Sequence, residues 1–142
     1  MRKNSSRRTI YLNGRPDFDN PETARAYEIA QAAMEIKHAG AFIFNPCDYL
    51  KKHPDSSYVK VLEDMQKELR CGYFSTIVLM RDWWKFPTSR ECITQIANGW
   101  FKGAGVFSSG DPEIIFVTDE LEEDGREYLA RVAKAKHDNQ RQ

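Results

Sequence analysis

Apolar residues fall in four short runs, separated by longer stretches in which they recur every three or four positions. Thr9-Ile10-Tyr11-Leu12 is the first run, and Asn13-Gly14-Arg15-Pro16 behind it is a turn signal. Asn20-Pro21-Glu22 reads as an N-cap, a proline in the first helical position and an acidic first turn. The helix it opens carries Ala26, Ile29, Ala30, Ala33 and Met34 on one face and closes at Gly40. Ala41-Phe42-Ile43-Phe44 is the second strand, stopped by Asn45-Pro46, and a polar stretch follows. Ser56 or Ser57 opens a second helix with Val61, Leu62, Met65 and Leu69 along its apolar face. Phe74-Ser75-Thr76-Ile77-Val78-Leu79-Met80 lacks alternation, as a strand buried on both faces would. A third helix is expected from Thr88-Ser89 to Gly99 or Trp100, a fourth strand over 113–118 and a last helix within 120–136.

Strand and helix alternate four times. That order predicts an α/β fold, a flavodoxin- or Rossmann-like three-layer sandwich with a small parallel sheet of four to five strands. One domain spans 1–142, with 1–8 and 137–142 as loose ends. In such sheets a ligand binds beyond the carboxyl ends of the strands, where strand order reverses. The segments that line this edge are 13–19, 45–50, 81–89 and 118–120.

Charge narrows the function classes. Lys plus Arg and Asp plus Glu both number 21, so no positive surplus supports broad nucleic-acid binding. Cys47, Cys71 and Cys92 form no CxxC pair, and with His38, His53 and His137 they give no zinc spacing, so neither metal nor cofactor is expected. The cysteines read as free thiols in a reducing compartment. The basic start MRKNSSRRT has no apolar stretch after it, and no run approaches a membrane span; a cytoplasmic location is expected.

Two segments could carry chemistry. Gly14 would let backbone amides approach a ligand and Arg15 would hold an anion, unless the pair is simply a solvated turn. Between 82 and 95, Asp82, Trp83, Trp84, Ser89, Arg90, Glu91 and Gln95 surround a helix start, where rings and backbone amides suit a flat ligand with an anionic group. Glu91 or Asp82 would serve as nucleophile or general base. Against that, Thr88-x-x-Glu91 matches a capping box, Asp82 suits a loop hydrogen bond, and the tryptophans suit core packing or a dimer interface. The charges from Glu120 to Lys136 read as a solvated helix face, acidic first and basic last.

Ile10-Tyr11-Leu12-Asn13-Gly14-Arg15-Pro16 resembles the opening strand and loop of small phage and bacterial DUF4406 proteins, of the nucleoside 2-deoxyribosyltransferase-like superfamily. Phe44-Asn45-Pro46, Asp64, the apolar run 77–80 with a tryptophan after it, and Ser89-Arg90 extend the likeness over roughly 9–107. The resemblance implies a homo-oligomer that processes a nucleoside or nucleotide as an N-glycosidase or deoxyribosyltransferase. The family's attacking glutamate stands six residues after the helix-opening serine, and Gln95 occupies that place here. Glu91 or Asp82 would then supply the carboxylate; otherwise the chain is a nucleotide-binding module without turnover. By the same likeness Tyr11 and Trp84 contact ring or sugar, Gly14 and Arg15 hold a phosphate, Asn45 and Gln95 give polar contacts, and Ser89 is a further substrate-binding residue.

Overall fold

The computed structural model describes residues 8–55, 60, 75–97 and 113–140. The strands are β1 (Thr9–Asn13), β2 (Phe42–Phe44), β3 (Thr76–Leu79) and β4 (Glu113–Phe116). They form one parallel sheet in the order β2-β1-β3-β4. The helices are α1 (Pro21–Lys37), α2 (Pro46–Lys52), α3 (Pro87–Ala97) and α4 (Asp119–Gln140), with a 3₁₀ turn at Trp83–Lys85. The helix expected after Ser56 or Ser57 lies outside the described residues.

Sheet order fixes the layers. The step from β1 to β2 runs one way along the sheet and the step from β3 to β4 the other. Right-handed crossovers therefore put α1 and α3 on opposite faces. The last helix, α4, packs against α1. The result is the α/β three-layer arrangement expected from the alternation. Register places Tyr11 beside Phe44 and Ile77, and Leu12 beside Val78. Ile10, Tyr11, Leu12, Ile77 and Val78 are fully buried, so the two central strands supply the middle of the core.

Caps explain the helix starts. Asn20 Oδ1 accepts from the Glu22 amide at 2.9 Å, with Pro21 in the first helical position. At the other end α1 stops at Lys37, and Gly40 takes a positive φ of 84° in the turn into β2. His38 closes the helix, and burial, and then the nearby Arg8, hold its imidazole below the usual range.

α2 was not anticipated. Asn45-Pro46 is not only a strand stop: Asn45 Oδ1 accepts from the amides of Cys47 (2.9 Å) and Asp48 (3.4 Å), capping a seven-residue helix. The third helix begins at Pro87, because Phe86 O takes the Arg90 amide at 2.9 Å. Thr88 is then inside the helix rather than its cap, which removes the backbone arrangement a capping box with Glu91 requires. α4 also continues past Lys136 and His137, to Gln140.

Two buried glycines mark close approaches. A Cβ on Gly125 would overlap the Ile29 carbonyl oxygen and lie 2.9 Å from Ile29 Cγ2, so α4 meets the backbone of α1 there. A Cβ on Gly14 would overlap Met80 Cβ and lie 2.6 Å from its Cγ.

Candidate functional site

Strand order reverses between β1 and β3, and the loops leaving their carboxyl ends diverge there. The first loop is bound to α1, since the Tyr27 hydroxyl donates to Arg15 O at 3.0 Å. The second is bound to α4: Arg81 reaches Asp119 and, at 3.3 Å, Glu122. These two acids, Glu122 foremost through its hydrogen bond, push the Arg81 guanidinium above its ordinary value. Asp82 follows in the left-handed region, φ 59° and ψ 23°, a conformation aspartate tolerates better than most residues.

Between these loops and the start of α1 lies a cavity of about 160 Å³. Arg15, Thr23, Tyr27, Arg81, Asp82 and Phe86 line it, and so do Glu22 and Glu122. The Arg15 guanidinium sits 5.9 Å from the Phe86 ring centroid and 3.7 Å from Asp17. Thr23 is buried, and its Oγ1 has no hydrogen-bond partner among the described residues. A buried hydroxyl without a partner costs about 1–3 kcal/mol, which a ligand or a water can recover.

A second orphan lies on the opposite sheet face. Asn13 is buried, its Oδ1 accepts from the Ser89 hydroxyl in the first turn of α3, and its Nδ2 has no partner among the described residues. That contact ties the end of β1 to α3 just where the two sheet halves part.

The anticipated site residues divide. Arg15 and Asp82 meet at the cavity, and Gly14 stands behind it, shaped by Met80 rather than by a left-handed backbone. Ser89 serves Asn13. Tyr11 is fully buried and stacks on Phe44 at 5.5 Å, so it belongs to the core. Asn45 is spent on the α2 cap and on Gln31, to which its Nδ2 donates at 2.9 Å. Trp84 is exposed, edge-on to Trp83, and its carbonyl accepts from Arg90. Glu91 is exposed on α3 and does not line the cavity. Gln95 lies in α3, and its side chain is outside the described set.

Asn45→Ala should therefore act on stability. Loss of the cap costs about 0.5–2 kcal/mol, and the stranded Gln31 amide adds to it. Denaturant melts should show a lower midpoint with an unchanged slope.

Thr23, Tyr27, Arg81, Phe86 and Glu122 were not anticipated. Thr23 and Tyr27 are four apart on the first turns of α1, a signal that they share a face. A larger cleft of about 520 Å³ runs along α1 and α2. Its polar groups are largely satisfied internally, by Arg25 with Glu28 and Asn45 with Gln31. Its buried Cys47 thiol is pushed up to about 11 by desolvation and then by Asp48, so it stays protonated at neutral pH. The smaller cavity, at the strand reversal and with an unsatisfied hydroxyl, is the better candidate. Among the described residues no cluster of three His, Cys, Asp or Glu side chains could hold a metal ion, and no helix is long and apolar enough to cross a membrane.

Compared with known protein families, curated proteins and solved structures, the chain gives no match in any of the three.

Proposed function

We propose that this chain binds a nucleoside or nucleotide at the carboxyl edge between β1 and β3, without turning it over. The observation that carries this reading is the cavity itself: two arginines, two aromatic rings and one unsatisfied buried hydroxyl at the point where strand order reverses. A ring beside Arg15 suits a planar base, and Thr23 Oγ1 suits a sugar hydroxyl. Its volume is below the ~300–1,000 Å³ usual for drug-sized ligands. It would take a base or a sugar, with the remainder over the open rim.

Binding is favoured over catalysis because Asp82, Asp119 and Glu91 are exposed and the half-buried Glu122 is engaged by Arg81. Asp82 lies 3.8 Å from Lys85, Asp119 and Glu122 hold Arg81, and Glu91 is away from the cavity. An attacking or proton-accepting carboxylate works best desolvated and aimed at its target. The second reading keeps one supporting fact: Asp82 is on the cavity rim. As an N-glycosidase, Asp82 would attack the anomeric carbon while the C–N bond breaks and the base leaves with the electron pair and takes up a proton.

Thermal melts with a panel of nucleosides and 5′-nucleotides test the reading, with chromatography for free base alongside. At one hundred times its dissociation constant a bound ligand adds about 2.7 kcal/mol. At least one panel member should raise the melting temperature, Arg15→Ala and Thr23→Val should each reduce the shift, and no base should appear. Base release abolished by Asp82→Asn would favour the glycosidase. No shift with any member would remove both readings.

A further inference from the structure

We infer that the outer edge of β4 is a contact surface for a second copy of this chain, joined by antiparallel β4–β4 pairing into one continuous sheet. β4 ends the sheet order, and no described residue pairs with its outer side. The Glu113 amide donates to Ser75 O at 2.9 Å and the Val117 amide to Leu79 O at 3.1 Å. Alternate residues of a parallel strand face opposite neighbours, so Glu113, Ile115 and Val117 turn their amides and carbonyls toward β3. Ile114 and Phe116 turn theirs outward. The same two residues carry large apolar side chains that are 39% and 59% exposed. An apolar edge left unpaired by the described residues is what soluble folds usually avoid.

The occupant follows from the register. A two-fold axis normal to the sheet, midway between the two Ile115 residues, sets Ile114 opposite Phe116 of the second copy, and Phe116 opposite its Ile114. Both members of each pair face outward, so each pair exchanges two backbone hydrogen bonds, four in all. Ile115 meets its own symmetry mate in a non-hydrogen-bonded position. Each cross-strand pair joins an aromatic to a β-branched residue, a favourable combination. The two-fold keeps the sheet faces aligned, so all four side chains gather on one side. The strand is thus complementary to itself, the condition an isologous dimer requires. Four residues a side is a short interface beside the ~1,200–2,000 Å² of a stable one. Weak, concentration-dependent association is expected.

Sedimentation velocity from about 10 μM to about 1 mM, the range of weak pairing, should show monomer passing into dimer. Ile114→Pro removes an amide that β3 does not use, and Phe116→Glu puts like charges into the paired face; both should remain monomeric throughout. Ile115→Cys should form a disulfide-linked dimer with oxidised glutathione, which the unchanged chain does not, because a non-hydrogen-bonded pair sets Cα atoms about 4.5 Å apart. Should either first variant lose its helical circular dichroism, the Ile115→Cys result decides. A monomer at about 1 mM, a dimer that survives in both folded variants, or a dimer that Ile115→Cys does not cross-link would each overturn the proposal. None of these outcomes depends on whether a nucleoside binds.

Discussion

Gly125→Ala should lower the melting temperature by about 7 °C, although alanine is the better helix former. The propensity gain is about 1 kcal/mol. The opposing term is larger, because the new methyl overlaps the Ile29 carbonyl oxygen and comes within 3.0 Å of the Ile29 carbonyl carbon. Neither is at the end of a flexible side chain. α4 must move off α1, and overpacking of this kind costs up to about 3 kcal/mol. The net loss of about 2 kcal/mol, over an unfolding entropy of about 2.1 cal/mol/K per residue, gives the shift stated. Calorimetry on the two proteins checks it. An unchanged or raised melting temperature would mean that the two helices do not meet this closely.

Gly14→Ala is the second large effect, and it reaches the candidate site. Its methyl would overlap Met80 Cβ, which no rotation about χ1 can remove, and would lie 3.4 Å from the Tyr27 hydroxyl. Met80 and Tyr27 both line the cavity. A loss of about 1–3 kcal/mol is expected, together with loss of any ligand-induced stabilisation. The double-mutant cycle is diagnostic: Met80→Gly alone should destabilise through the space it leaves, yet it should soften the effect of Gly14→Ala, since the two changes share one contact. Strict additivity would place the cause elsewhere.

Much of this architecture was legible in the sequence, for stated reasons. The unbroken apolar run before Met80 announced a strand buried on both faces, and β3 is buried throughout. Asn20-Pro21-Glu22 announced the start of α1. The same Asn-Pro signal at Asn45-Pro46 marks only a strand stop in the sequence, because PCDYLKK is too short to show apolar periodicity. The apolar sequence of β4 gave no sign that Ile114 and Phe116 would stay exposed, since that depends on which strand lies at the edge. The site was read in part. Arg15 and Asp82 came from loops that must leave the carboxyl edge, but Thr23, Tyr27 and Glu122 enter from helix faces whose positions follow from tertiary packing. Nothing in the sequence around Gly125 signals the α1 backbone that lies beside it, since that contact exists only once α4 packs on α1.

The order of strands in space also bears on how the chain comes together. β1 lies between β2 and β3, yet it precedes both in the chain, and its register partners are distant: Thr9 pairs with Phe42 and Ile10 with Thr76. None of these contacts can be made by a local hairpin. Closing loops of that length before any pairing rewards them makes folding slow. Through that interval the segment most thoroughly enclosed in the finished protein, Ile10-Tyr11-Leu12, is exposed and sticky. Refolding yield should therefore fall as protein concentration rises, by collisions among half-built sheets.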